Sequence, residues 1–121
     1  KLGSAAELFG KALAEGGIPA AETALQELQA RQPDGPVFDE VDFNALGYRL
    51  LQENNPGFAV FVLEKSAELF PGSWNAWDSL GEAAAQAGRK ELAIASYRKS
   101  LELNPNNKNG RAMLDRLEKG Q

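Results

Sequence analysis

The chain has 121 residues, the size of one domain with its own core. It contains no cysteine and no histidine, which excludes disulfides, thiolate nucleophiles and Cys-based zinc sites and removes the commonest general base. Thirteen Lys and Arg against seventeen Asp and Glu leave a net charge of −4, and these charges are scattered, so nucleic acid is not an expected partner. No apolar run approaches the roughly 18 residues of a membrane span, so no membrane partner is expected either.

The opening K-L-G-S-A-A-E lacks the basic and apolar blocks of a signal peptide. There is no initiating Met, which predicts a processed chain or a piece of a longer one. Apolar residues then recur at spacings of three and four, the signature of helices with one buried face. Helices are predicted near 4–15, 19–31, 39–53, 57–69, 73–87, 90–103 and 107–118. Ser4 with Glu7 reads as a capping box, Asn55 before Pro56 as an N-cap, and Asp39 and Ser73 as the starts of two later helices. Gly16-Gly17, Gly57 and Gly88 are expected at hairpin turns. Pro33, Pro71 and Pro105 should each end a helix, because proline has no backbone N–H to continue the ladder. No stretch alternates as a half-buried strand would.

The chain repeats itself. Residues 40–73 superpose on 74–107 at a shift of 34: Phe43 on Trp77, Leu46-Gly47 on Leu80-Gly81, Ala59 on Ala93, Leu63 on Tyr97, Ser66 on Ser100 and Pro71 on Pro105. A degenerate copy occupies 2–35, with Leu8-Phe9 at the Leu-Gly position and Ala21, Leu25, Leu28 and Pro33 in its second half. The extra residues fall at Pro36 to Asp39, a proline-rich, acidic connector. Residues 108–119 remain as a capping helix, with Arg111, Asp115, Arg116, Glu118 and Lys119 on a wet side and Ala112, Met113, Leu114 and Leu117 for packing.

The pattern W-x2-L-G, then a small residue, an aromatic and a proline resembles the tetratricopeptide repeat. Trp77, Leu80, Gly81, Ala84, Ala93, Tyr97 and Pro105 carry it in the last copy. Phe43, Leu46, Gly47, Ala59 and Pro71 carry it in the middle one. The resemblance implies an all-α fold for residues 1–121, a right-handed superhelix of three helical hairpins plus the capping helix. It implies a non-catalytic protein or peptide interaction module. Gly47 and Gly81 should permit close helix approach, while Trp77, Phe43, Tyr97 and Leu63 fill the space between hairpins.

By repeat register the first helix of each pair lines the concave face. That places Val41, Asn44, Tyr48, Leu51 and Gln52 in the groove from the middle copy, and Asn75, Asp78, Glu82, Ala85 and Gln86 from the last. The degenerate copy would add Gly3, Ala6, Gly10 and Leu13. Repeat domains that clamp a carboxylate terminus carry Lys, Arg and Asn here. The acidic Asp78 and Glu82 in two of the matching places predict that such a terminus is repelled.

A narrower resemblance links F-N-A-L-G-Y-R-L-L-Q and S-W-N-A-W-D-S-L-G-E-A-A to segments that come after the catalytic domain in some bacterial serine hydrolases. It implies an accessory C-terminal domain that packs against or positions the catalytic domain of its own parent chain. The absence of cysteine is compatible with the cytoplasm or the periplasm.

Chemistry of its own is not expected. Ser96-Tyr97-Arg98-Lys99 fits the S-x-x-K of penicillin-recognising enzymes, but Tyr97 is a repeat core position and no K-T-G or S-D-N string accompanies it. Asp34, Asp39, Glu40 and Asp42 lack the spacing and central glycine of a calcium loop, and serve better as a cap and as dipole partners for the helix they precede. Neither a cofactor nor a metal is expected.

Overall fold

The computed structural model describes residues 3–120. Leu2, the first residue of the degenerate copy, lies outside them. Six helical elements run in order: α1 Ala5–Ala30, α2 Glu40–Gln52, α3 Pro56–Leu69, α4 Trp74–Gln86, α5 Lys90–Leu103 and α6 Lys108–Glu118. There is no strand among the described residues, only an isolated bridge between Ser4 and Val37.

The two helices predicted near 4–15 and 19–31 appear as one element, interrupted at Gly17 with φ 75° and ψ −168°. A straight helix of 26 residues would be about 39 Å long. Yet Ala5 N–H donates to Val37 O at 2.8 Å and Val37 N–H to Gly3 O at 2.9 Å. The seven Cα–Cα steps from Ala30 to Val37 span at most about 25 Å. The two halves of α1 therefore fold back on each other, and the expected hairpin exists with only one residue out of helical geometry. Gly17 supplies the left-handed φ that a side chain would resist. Pro19 comes two residues later, where the restarting helix has no use for its missing N–H.

The other boundaries reflect side-chain chemistry. Asp39, Ser73 and Asn107, spaced evenly by the repeat, each cap a first helix, accepting from Val41 N, Ala76 N and Gly110 N. Ser4 accepts from Glu7 N and Asn55 from Phe58 N. Helices α3 and α5 stop at Leu69 and Leu103, two residues before Pro71 and Pro105. The turn into α3 corrects one expectation. Gly57 sits inside α3, and it is Asn54, at φ 60°, that takes the left-handed position. Asparagine tolerates that conformation better than most residues. Gly88, at φ 77°, makes the α4–α5 turn as expected.

Successive helices pack on one another. A Cβ added at Gly47 would lie 2.5 Å from Leu63 Cγ, and one at Gly81 2.9 Å from the Tyr97 ring. These glycines thus admit the large residue of the partner helix in each hairpin. Between the first and second hairpins the core is aromatic: Phe9 lies 5.8 Å from Phe43 and 5.7 Å from Phe61, and Phe38 stacks on Phe43 at 5.9 Å. The connector is part of this core. Pro36 is fully buried, and Gln32 Nε2 donates to its carbonyl at 2.8 Å.

Trp77 departs from expectation. Its counterpart Phe43 is wholly buried, whereas Trp77 is only partly so, its Nε1–H donating to Pro71 O at 2.9 Å near the surface. An indole needs a partner for its N–H, and that pulls the ring toward the solvated turn.

Candidate functional site

The first helices of the repeats stand side by side. Ser4, before α1, donates to Asp42 of α2 at 3.1 Å, and Tyr48 OH of α2 donates to Glu82 Oε1 of α4 at 2.8 Å. Asn107, the cap of α6, donates to Asp78 of α4 at 2.9 Å. Tyr48 and Glu82 hold the same repeat position in successive copies, so their hydrogen bond joins one repeat to the next.

Tyr48 and Asp78 are half-buried, as are Asn44 and Glu82. Val41, Gln52, Asn75 and Gln86 are exposed, with Val41 at 72 %. Leu51 and Ala85 are partly buried against the core, so they support the site more than they offer it. The expectation fails for Ala6, Gly10 and Leu13. All three are buried, because the first half of α1 approaches α2 so closely that a Cβ on Gly10 would lie 3.1 Å from Leu46 Cδ1. Gly3 is exposed. A cleft of about 290 Å³ does separate these two helices, lined by Ser4, Glu7, Asp42 and Arg49 among others.

Asp78 and Glu82 dominate the electrostatics. No Lys or Arg forms an ion pair with either among the described residues; the observed pairs involve other carboxylates. Burial, reinforced by the Glu82 and Asp78 charges, pushes the Tyr48 hydroxyl up to about 12, against a lowering contribution from Ser79. Burial also raises Tyr97, helped by the Asp78 and Glu82 charges. Both phenols therefore stay protonated, and Tyr48 remains a donor to Glu82.

Sequence reasoning missed the network behind Asp78. Asn107 Nδ2 donates both to Asp78 Oδ1 and to Ser100 Oγ, at 2.9 and 3.0 Å, and Ser100 Oγ donates to Trp74 O at 2.9 Å. The even spacing of Asp39, Ser73 and Asn107 was the available signal. The matching atoms one repeat earlier, Asn44 Oδ1 and Ser66 Oγ, are buried and have no hydrogen-bond partner among the described residues.

The S-x-x-K string forms no reactive pair. Ser96 is 1 % exposed and donates to its own helix at Leu92 O, while Lys99 pairs with Glu102. Asp39 is a cap, Asp42 accepts from Ser4, and Glu40 accepts from Ser73 at 2.5 Å. Among the described residues no helix is long and apolar enough to cross a membrane.

Stacked helical hairpins, with glycine at the close approach inside the second and third, make a helical-repeat fold of tetratricopeptide-like form, and the model of the tetratricopeptide repeat family matches residues 74–107. Over 101 residues the chain is 32 % identical to the tetratricopeptide repeat domain-containing protein PYG7, chloroplastic, of Arabidopsis thaliana. That alignment takes in 83 % of this chain and 33 % of PYG7, so the chain spans about a third of that protein's length.

Proposed function

We propose that this chain is a non-catalytic module that binds an extended peptide segment of a partner protein along the row formed by α2 and α4. One observation carries the reading. Asp78 and Glu82 are held in place by the uncharged donors Asn107 and Tyr48, and neither carboxylate is neutralised by a cation of the chain among the described residues. Hydrogen bonds from neutral donors orient a carboxylate without cancelling its charge. The half-buried setting lets that charge act at lower effective dielectric. A Lys or Arg side chain of the partner fits this pair, with the exposed Asn75 and Gln86 available to its backbone. A peptide ending in a free carboxylate does not.

The family match and the similarity to a repeat protein support interaction over catalysis. The serine hydrolase context implied by the narrower resemblance gains no support from the chloroplast protein matched here, and the module reading does not depend on it.

The test is selection from a displayed library of random peptides, then calorimetry. Enrichment of Lys- or Arg-bearing sequences is expected. Their binding should weaken at least ~10-fold in Tyr48→Ala/Asp78→Lys, since losing a buried charge contact costs about 1.4 kcal/mol or more. Unchanged affinity in a variant with an unchanged helical circular dichroism spectrum would remove the groove assignment.

A further inference from the structure

Of all the asparagines in the chain, only Asn109 precedes a glycine. An asparagine deamidates when the backbone nitrogen of the next residue attacks its side-chain Cγ. Ammonia leaves, a five-membered succinimide forms, and water opens it to aspartate or isoaspartate. Glycine favours the attack because no Cβ crowds the nitrogen and its backbone turns freely. The net change is one amide and one water becoming one carboxylate and ammonia, with no oxidant or reductant.

Asn109 is exposed and occupies the first turn of α6, while Gly110 is buried beneath it. The Gly110 N–H donates to Asn107 Oδ1 at 3.0 Å. Asn107 is in turn fixed from behind by its two donations to Asp78 and Ser100. The nitrogen that must attack is therefore engaged by the helix cap. Ring closure also requires rotation about ψ of Asn109, which the helix fixes.

We infer that Asn109–Gly110 is a deamidation site gated by Asn107, reactive only when the first turn of α6 opens. The gate has a consequence for the lesion. Isoaspartate would insert an extra main-chain carbon beside Gly110, where even a Cβ lies 2.5 Å from Asn107 Nδ2 and 3.3 Å from Asp78 Oδ1. That product cannot re-form the cap, and it frees Asp78. The aspartate product keeps the backbone and places a negative charge at a helix N-terminus, where it is favourable.

The experiment incubates the 121-residue chain in mildly alkaline buffer, with peptide mapping by mass spectrometry for the gain of about one dalton at Asn109. The native chain should react slowly and the urea-unfolded chain fast. Asn107→Ala should react roughly 10-fold faster than the native chain, the factor by which losing a cap raises opening of the first turn. Asn107→Ser should fall between the native chain and Asn107→Ala, because serine in the matching place, Ser73, caps Ala76 N at 3.1 Å but is too short to make the bonds to Asp78 and Ser100. Asn109→Gln should abolish the signal. Equal rates in the native chain and Asn107→Ala, or an unfolded chain that reacts at other asparagines while Asn109 stays intact, would overturn the inference. A melt of each variant by circular dichroism confirms that the comparison is between folded chains.

Discussion

The two unsatisfied atoms in the middle repeat, Asn44 Oδ1 and Ser66 Oγ, should be satisfiable by a pair of substitutions copied from the last repeat. In the last repeat Asn107 satisfies Asp78 and Ser100 together; one repeat earlier the cap is Ser73, and Asn44 Oδ1 and Ser66 Oγ have no partner among the described residues. Serine is too short to reach them, and the neighbouring residue explains why asparagine is not there instead. Gly110 makes room for Asn107, since a Cβ on it would lie 2.5 Å from the amide nitrogen. The matching residue is Ala76, which carries that Cβ and is 1 % exposed. Ser73→Asn alone should therefore overpack and lose the hydrogen bond to Glu40, destabilising by about 1–3 kcal/mol. Ala76→Gly alone should cost about 1–2 kcal/mol through helix propensity and a lost buried methyl. Together they recreate the Asn–Gly pair. Two new bonds worth about 1 kcal/mol each form at atoms that now bear a desolvation penalty of about 1–3 kcal/mol each. The double variant should thus fall within about 1 kcal/mol of the native chain, a favourable coupling of roughly 2–4 kcal/mol. Urea unfolding of the four proteins, monitored by circular dichroism, measures the cycle. Additive destabilisation would show that the repeat network does not transfer and that the argument from register is unsound.

The packing and the tyrosines lead to further outcomes. Gly47→Ala and Gly81→Ala should each destabilise by about 1–3 kcal/mol, with Gly47 the worse because Leu63 is nearer than Tyr97; equal melting temperatures would contradict the close approach. Phe43→Ala should cost about 3–5 kcal/mol and Trp77→Ala distinctly less, since only Phe43 is wholly buried; the reverse order in urea unfolding would refute that. Tyr48, ordinarily near 10, is raised to about 12, so between those values the unfolded chain has lost its proton and the folded chain has kept it. Stability should be insensitive to this group below pH 10 and fall as pH rises toward 12. Tyr48→Phe should make that alkaline decline shallower, with Tyr97 supplying what is left, and a decline of unchanged slope would count against the assignment.

Much of this protein is written in local sequence. The caps Ser4, Asp39, Asn55 and Ser73, the stops before Pro71 and Pro105 and the turn at Gly88 depend on interactions within a few residues, so the chain alone discloses them. The glycine-to-large pairs were legible because a repeat prints the same contact twice; Gly47 with Leu63 and Gly81 with Tyr97 stand at one separation in both copies. What the sequence could not show is how far each position sits from water, or which polar atoms meet across repeats. Ala6, Gly10 and Leu13 occupy the register of a groove, yet the close contact of α1 with α2 buries them. Trp77 holds the strongest signature position, yet its N–H leads it toward Pro71. The Tyr48–Glu82 bond and the link from Asn107 to Asp78 join residues 34 and 29 positions apart. Such bonds depend on side-chain length and approach to within a fraction of an ångström, which only the packed tertiary structure decides.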